Sequence, residues 1–390
     1  MKKKIIFVTE ALWLGGIEIS LVNVLKNIDY DRFDVTVLAL RNYRDLESQI
    51  PAQCRLIIAD RMTGSYPFKR LFGLMEKPRN PSQFRRFIWK VLCLLLKAPE
   101  AALWAKHIRT LFPGEHFDTA VIYDNRTAET VVRGIPADRY LMFYHQGVMS
   151  HAYHDHYGWK KAEKVIAVSD PIADRLRTFM PKYAGKVMTI SNLIDVAAIR
   201  EKSRAEADVT FDDAKIKLVS CGRLSKEKGM HIALDACAIL KERGFDNFAW
   251  YIIGGGREMD ALKQQLRDLH IEDRVFLLGQ KSNPFPYLRQ ADIFVQTSLF
   301  ESYGLSLAEA MVLGLPVVST RTDGAVALTE NGKLGLLCDI DPESAADAIA
   351  SLLTSPEALS TWKQIVSTVD MDAQNRRNMN ELVLLLLNET

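Results

Sequence analysis

Two glutamates, Glu301 and Glu309 in the stretch LFESYGLSLAEAM, are the first residues of this chain whose types and spacing could do chemistry. Paired carboxylates can act as acid and base on one bond, or each can clamp hydroxyls, because an ionised carboxylate only accepts hydrogen bonds. The placement favours clamping. Glu301 lies in the loop after the apolar run DIFVQTS, and Ser302, Tyr303 and Gly304 lead into a helix that reaches about Val312. Glu309 falls more than one turn into that helix, so the carboxylates differ in height and direction and are poorly arranged to share a proton. The free N–H groups from Gly304 through Leu305 and Ser306 to Leu307 point outward at a strand end, where a helix N-terminus attracts an anion.

Basic partners stand at another strand end. The run KLVSCG passes into GRLSKEKG, which carries Arg223 and Lys228. A planar fork and a mobile point charge suit a diphosphate, although two basic residues in isolation are more often solvated surface charge. Glycines mark two further close approaches: Gly15-Gly16, just before an apolar-periodic helix, and Gly254-Gly255-Gly256 after FAWYII. A turn without Cβ atoms lets backbone N–H groups reach a phosphate, and it equally suits a tight strand-to-helix bend. The Gly-x-Gly-x-x-Gly of dinucleotide enzymes with its later acidic residue is missing, which argues against a nicotinamide dehydrogenase.

The elements that must position these residues alternate strand and helix. KIIFVT, DVTVLAL, RLIIAD, TAVIYD, YLMFYH, KVIAVS and VMTIS read as strands of a first half, and KLVSCG, FAWYIIG, RVFLLG, DIFVQTS and PVVST as strands of a second. That alternation predicts an α/β chain of two Rossmann-like, doubly wound parallel domains facing across a cleft, with a ligand at the carboxyl ends of the strands. A length of 390 residues accommodates both. The expected boundaries are an N-terminal, acceptor-binding domain over 1–195, a linker over 196–215 that is polar and without periodicity, a C-terminal, nucleotide-sugar-binding domain over 216–355, and a helical region over 356–390 that could pack back on the N-terminal domain.

The run FESYGLSLAEAMVLGLPVVSTRTDG resembles the signature of glycosyltransferase family 4, the retaining group with the GT-B fold. GGIE, FYHQG, VSD, ISNLID, GRLSKEKG, IIGGGRE and VFLLG occur in the family's order. The resemblance implies that Glu309 holds the nucleotide ribose, Glu301 the donor sugar, and Arg223 with Lys228 the diphosphate leaving group. It implies that His145, in FYHQG, lies near the donor sugar. Tyr303, Gly304, Leu305, Ser306, Gly15, Gly16 and Gly255 complete the expected donor site, and the base would lie near Gly279 to Ser282. No cofactor and no metal is expected, since the basic pair supplies the charge. The implied activity is transfer of a hexosyl or N-acetylhexosaminyl group with retention, from a nucleotide sugar (a UDP-sugar is favoured) to a glycan acceptor in cell-surface polysaccharide biosynthesis. A polyprenyl-diphosphate-linked acceptor fits this reading best. A catalytically silent GT-B partner subunit and a GT-B sugar-nucleotide epimerase are the rivals. The chain departs from the family at Leu193, where glycine is common, and in VIYDNRTA, which lacks the usual histidine-bearing acceptor loop.

Composition sets outer bounds. Five scattered cysteines without a Cys-x-x-Cys argue against a disulfide scaffold or zinc site. The start MKKKIIFVTE has too short an apolar run for a signal peptide and reads as a first strand, so a cytoplasmic location is expected. Net charge is only +2, but residues 61–110 hold eleven Lys/Arg against Glu76 and Glu100. With Trp89, Trp104 and several Phe interleaved, this basic amphipathic segment suits a helix pair on the anionic inner face of the cell membrane. A buried helix with a solvated basic face is the plainer alternative, and no nucleic-acid module is present to support nucleic acid as partner. The cluster His151, His154 and His156 reads as a loop lining the acceptor cleft rather than as a metal site.

Overall fold

The computed structural model describes residues 2–59, 102–147, 149 and 156–389. The basic segment up to residue 101, together with His151 and His154, lies outside the described residues.

Seven parallel strands form the first sheet: β1 (Lys3–Thr9), β2 (Phe33–Ala39), β3 (Arg55–Ile58), β4 (Phe117–Ile122), β5 (Ala137–Tyr144), β6 (Lys164–Ala167) and β7 (Val187–Thr189). Their order is β3-β2-β1-β4-β5-β6-β7. The second sheet holds β8 (Ile216–Cys221), β9 (Phe248–Ile253), β10 (Val275–Gly279), β11 (Ile293–Gln296), β12 (Val317–Thr320) and β13 (Leu336–Cys338), ordered β10-β9-β8-β11-β12-β13. All twelve strands expected from the sequence are present, and β13 is an addition.

Apolar runs rather than strict alternation mark these strands because helices cover both faces of each sheet. In β1 the five residues from Ile5 to Thr9 are all buried, and all six of β9 are. Each sheet reverses its winding at one place, between β1 and β4 and between β8 and β11. At such a switch point the loops leaving adjacent strands diverge and open a crevice at the carboxyl ends. Gly15-Gly16 follows β1, His145 follows β5, GRLSKEKG follows β8 and Glu301 follows β11, so every candidate loop leaves a strand at this end.

Residues 196–215 differ from the featureless linker expected. The segment opens with a helix, Val196–Lys202, whose N-cap Asp195 accepts from the Ala198 N–H at 3.0 Å. Farther on, Phe211 stacks on Tyr251 of β9 with ring centroids 3.6 Å apart. The last helix, Met371–Leu387, lies against the first sheet's half of the molecule. Asn375 brackets the backbone of Ile194, donating to its oxygen at 2.6 Å and accepting from its N–H at 3.0 Å. Arg139 of β5 donates to the Leu385 oxygen at 3.0 Å.

Candidate active site

Two helix N-termini meet across the cleft. The helix Gly16–Asn27 starts at Gly15 and the helix Leu305–Val312 at Gly304, and neither has a side-chain cap. A Cβ on Gly16 would lie 3.2 Å from Leu305 Cδ1, so the two first turns touch. Uncapped first turns present free N–H groups and the positive ends of two helix dipoles to one place, which suits a polyanion. Gly304 has φ of 90°, a left-handed conformation that a side chain resists, and this sharp turn aims the helix at the cleft.

Hydrogen bonds join the two halves at the same loop. Ser302 Oγ donates to the His145 oxygen at 2.6 Å, and Ser169 Oγ donates to the Ser302 oxygen at 2.8 Å. Arg175, on the helix Asp170–Phe179, pairs with Asp323 at the start of the helix Asp323–Leu328.

Glu301 is held rather than free: it pairs with Lys228 Nζ and accepts from Ser298 Oγ at 3.0 Å. The sequence reading gave these two residues separate ligand groups, and the fold brings them into contact. Arg223, by contrast, is exposed: its backbone oxygen accepts from the Ser225 N–H at 2.9 Å, and its guanidinium makes no ion pair or hydrogen bond with the described residues. Its position depends on glycines. A Cβ on Gly254 would fall 1.9 Å from the Gly222 oxygen and one on Gly256 would fall 2.1 Å from the Leu224 oxygen, so the loops after β8 and β9 need both. Gly255 accepts from the Leu224 N–H at 2.9 Å, which makes the triplet a packing device behind Arg223. Gly229, with φ of 60°, does the same for Lys228, since its Cβ would strike the Thr297 oxygen at 2.0 Å.

Glu309 is part-exposed yet enclosed by protein, and burial pushes its carboxyl up to about 7 against the pull of Lys202 and Lys228. Lys202 belongs to the helix at 196–202, so that segment supplies charge to the site. Burial also raises the neighbouring Cys221 thiol to about 12, too high for a nucleophile at neutral pH. Around Gly279 to Ser282, Lys281 binds Asp208 at 2.5 Å and the Gln280 side chain lies against Gly255. Tyr303 turns its side chain inward: the residue is 3% exposed and borders a polar cavity shared with Asp170, Ser191 and Gln374. Ser306 Oγ donates to Gln296 Oε1 at 3.4 Å.

On the opposite wall, the His145 ring stacks on Phe143 at 5.8 Å and lies 5.0 Å from Tyr123. Burial lowers its pKa to about 4, partly offset by Asp124, so at neutral pH it is an uncharged imidazole. Its Nε2 is buried with no hydrogen-bond partner among the described residues. Three further residues were missed in the sequence. Glu18, the last letter of GGIE, is 1% exposed, and burial lifts its carboxyl to about 7. Asp124 and Arg126, just past β4, pair at 2.5 Å, and Arg126 also reaches Glu10 at 2.8 Å. A carboxylate in the first turn after a Gly-Gly strand end was the available signal.

Among the described residues no cluster of three metal-ligating side chains occurs and no helix is long and apolar enough to cross a membrane.

Residues 201–367 match the family described as glycosyl transferases group 1, so the chain carries a domain of that family. The whole chain is similar in fold to solved GT-B structures. The HepE protein of Anabaena in complex with UDP and glucose aligns over 98% of this chain and 99% of its own, at 19% identity and a TM-score of 0.67. TarM of S. aureus aligns over 99% of this chain and 100% of its own, at 14% identity and a TM-score of 0.70. The fold is therefore GT-B. By sequence, the chain is 28% identical over 204 residues to the N-acetyl-alpha-D-glucosaminyl L-malate synthase of Bacillus anthracis, covering 52% of this chain and 53% of that protein. It is 32% identical over 161 residues to the N-acetylgalactosamine-N,N'-diacetylbacillosaminyl-diphospho-undecaprenol 4-alpha-N-acetylgalactosaminyltransferase of Campylobacter jejuni, covering 41% of this chain and 42% of that protein. The chain thus spans about half or less of the length of the curated relatives it matches.

Proposed function

We propose that the protein is a retaining glycosyltransferase of family 4 that moves a hexosyl or N-acetylhexosaminyl group from a nucleotide sugar, UDP-linked by preference, to a bacterial cell-surface glycan. The observation that carries this reading is the meeting of two uncapped helix N-termini at Gly16 and Leu305. A diphosphate in that seam takes hydrogen bonds from both first turns and a bidentate contact from Arg223. As the bond from the anomeric carbon to the diphosphate oxygen breaks, negative charge grows on that oxygen, and these donors stabilise it more than they stabilise the ground state. Lys228 adds charge without a metal, exchanging part of its contact with Glu301 for the phosphate.

The acceptor hydroxyl attacks from the face the leaving group departs, its oxygen forms the new glycosidic bond, and its proton passes to the departing phosphate oxygen. Neutral His145, facing the Glu301 loop, offers a hydrogen bond and no charge, which fits sugar positioning and not general-base work. Glu309 accepts from the ribose hydroxyls; burial raises its carboxyl to about 7, and Lys202 and Lys228 pull it back toward the ionised form. A polyprenyl-diphosphate-linked acceptor is supported by the name of the Campylobacter relative, and a peripheral position on the inner face of the membrane follows from such an acceptor.

A melting-temperature panel of UDP, ADP, GDP and their glucose conjugates tests the reading. Ligand at a hundredfold excess over Kd stabilises by about 2.7 kcal/mol. UDP and its conjugate should raise the melt more than the others, and a panel without any shift overturns the nucleotide site.

A further inference from the structure

A cavity of about 570 Å³ opens where three parts of the molecule meet, within the size range of small-molecule sites. Asp170 and Ser191 follow β6 and β7 in the first half, Tyr303 and Glu330 belong to the second half, and Gln374 and Arg377 to the helix Met371–Leu387. None of Arg223, Lys228, Glu301 or Glu309 lines it.

Its charges do not cancel. Three carboxylates, those of Asp170, Glu330 and Asp370, border it against one guanidinium, that of Arg377, which leaves the wall acidic by two charges. Asp370 is in use as an N-cap, accepting from the Ala373 N–H at 2.9 Å, and lies 3.9 Å from Arg376. The other two are open. The Asp170 carboxylate makes no ion pair or hydrogen bond with the described residues, and Glu330 reaches Lys333 only at 4.0 Å. Glu330 also holds φ of 47°, a left-handed conformation that a side chain resists.

One buried group points to an occupant. Tyr303 is 3% exposed, and its hydroxyl is buried with no hydrogen-bond partner among the described residues. The Gln374 side chain approaches that hydroxyl without bonding it. A buried hydroxyl without a partner is costly, and a ligand in the cavity that bonds the oxygen removes the cost.

The composition of the wall selects the ligand. The open carboxylates stand on different halves of the molecule, and no three metal-ligating side chains cluster among the described residues, so one compact divalent ion does not serve both. An anion would meet three carboxylates, and a neutral sugar would leave the charge uncompensated. A linear molecule with an ammonium group at each end neutralises the wall, and its methylene chain has Leu328, Leu334 and Met371 to lie against.

We propose that this cavity binds a linear diamine or polyamine, with one ammonium group paired to Asp170, another to Glu330, and the Tyr303 oxygen accepting a hydrogen bond from the ligand. Such a ligand ties the halves together at the residue before Gly304, where the helix Leu305–Val312 begins. The inference does not rest on the transferase reading, because it needs neither donor nor acceptor.

Calorimetry on the full chain with putrescine and spermidine at about 0.15 M salt tests it. The expected result is saturable binding of one molecule per chain by at least one of them. Asp170→Asn and Glu330→Gln should each weaken it about tenfold, the worth of a hydrogen bond to a charged group. Both residues are exposed, so these substitutions leave the fold intact. Tyr303→Phe should weaken binding by less and leave the melting temperature of the free chain unchanged or higher, since no protein hydrogen bond is lost. Asp174→Asn, on the same helix as Asp170 but with its side chain 75% exposed and outside the cavity, should bind as the wild type does. Heats that never saturate, or that fall equally in Asp174→Asn, mean a diffuse attraction to acidic surface and overturn the proposal. Undiminished binding in both Asp170→Asn and Glu330→Gln places the ligand elsewhere and also overturns it. Magnesium chloride and glucose are titrated alongside, and displacement of the amine by either overturns it in favour of a metal or a sugar site.

Discussion

The two lips of the cleft treat charge in opposite ways. On the C-terminal lip the Arg223 guanidinium makes no ion pair or hydrogen bond with the described residues, and the Lys228 ammonium is paired with Glu301, a contact a ligand can replace. On the N-terminal lip Glu10 shares Arg41 and Arg126, Asp124 closes on Arg126, and burial leaves His145 neutral and Glu18 with a raised pKa. One side leaves its cations open to exchange, and the other has its charges already paired with one another or neutralised by burial. Under the transferase reading proposed above, donor and acceptor selectivity would be separable, because the groups responsible stand on different sheets.

The largest expected effect tests the anionic side. Arg223→Ala should lower kcat by about 10²–10³-fold in a sugar-transfer assay, the range for losing one transition-state donor. A loss confined to KM would show that the guanidinium binds ground and transition states alike.

Next in size is a pH effect on the neutral side. The Glu18 carboxyl rises from an ordinary 4.5 to about 7 in the fold, so the folded chain holds this proton more tightly than the unfolded chain. The stability it contributes is complete below pH 4.5 and is lost as pH climbs through 7, by at most ~3 kcal/mol. Glu18→Gln, neutral throughout, should gain on the wild type between pH 5 and pH 8 in denaturant titrations. Parallel curves for the two proteins would mean that Glu18 is solvated.

The two clamp residues should split more gently. Glu309→Ala is expected to weaken UDP binding about tenfold, a charged hydrogen-bond acceptor's worth, while Glu301→Ala chiefly lowers turnover. Calorimetry with UDP would break this division if both variants lost equal affinity. The smallest effect concerns the seam: Gly16→Ala places a Cβ 3.2 Å from Leu305 Cδ1 and should cost a few-fold in donor KM. Adding Leu305→Ala should restore it, and an uncoupled double variant would mean the helix ends do not meet in solution.

The strand pattern was readable because parallel strands covered on both faces need continuous apolar runs, and KIIFVT or FAWYII cannot hide them. β13 was not, since Leu336–Cys338 is too short for a pattern to develop. The helix Val196–Lys202 left a clue in Asp195, an N-cap type, that was outweighed by the polar residues after it. Contacts far apart in sequence left no trace: nothing in GRLSKEKG announces that Lys228 will pair with a residue 73 positions later. Tyr303 illustrates a different limit. It sits among donor-loop residues, yet its backbone turns the ring inward, and a Cβ on Gly324 would lie 2.3 Å from the Tyr303 oxygen.

Ser302 carries one consequence beyond the static site. It donates to the His145 oxygen and accepts from Ser169, so the residue next to Glu301 is bolted to two strand ends of the opposite sheet. Neither bond involves a charge, so salt has little to act on. Under the transferase reading proposed above, parting the halves to let a product leave would pull on the loop that carries Glu301, and bringing them together would set it again. Release and rearming would then be a single stroke.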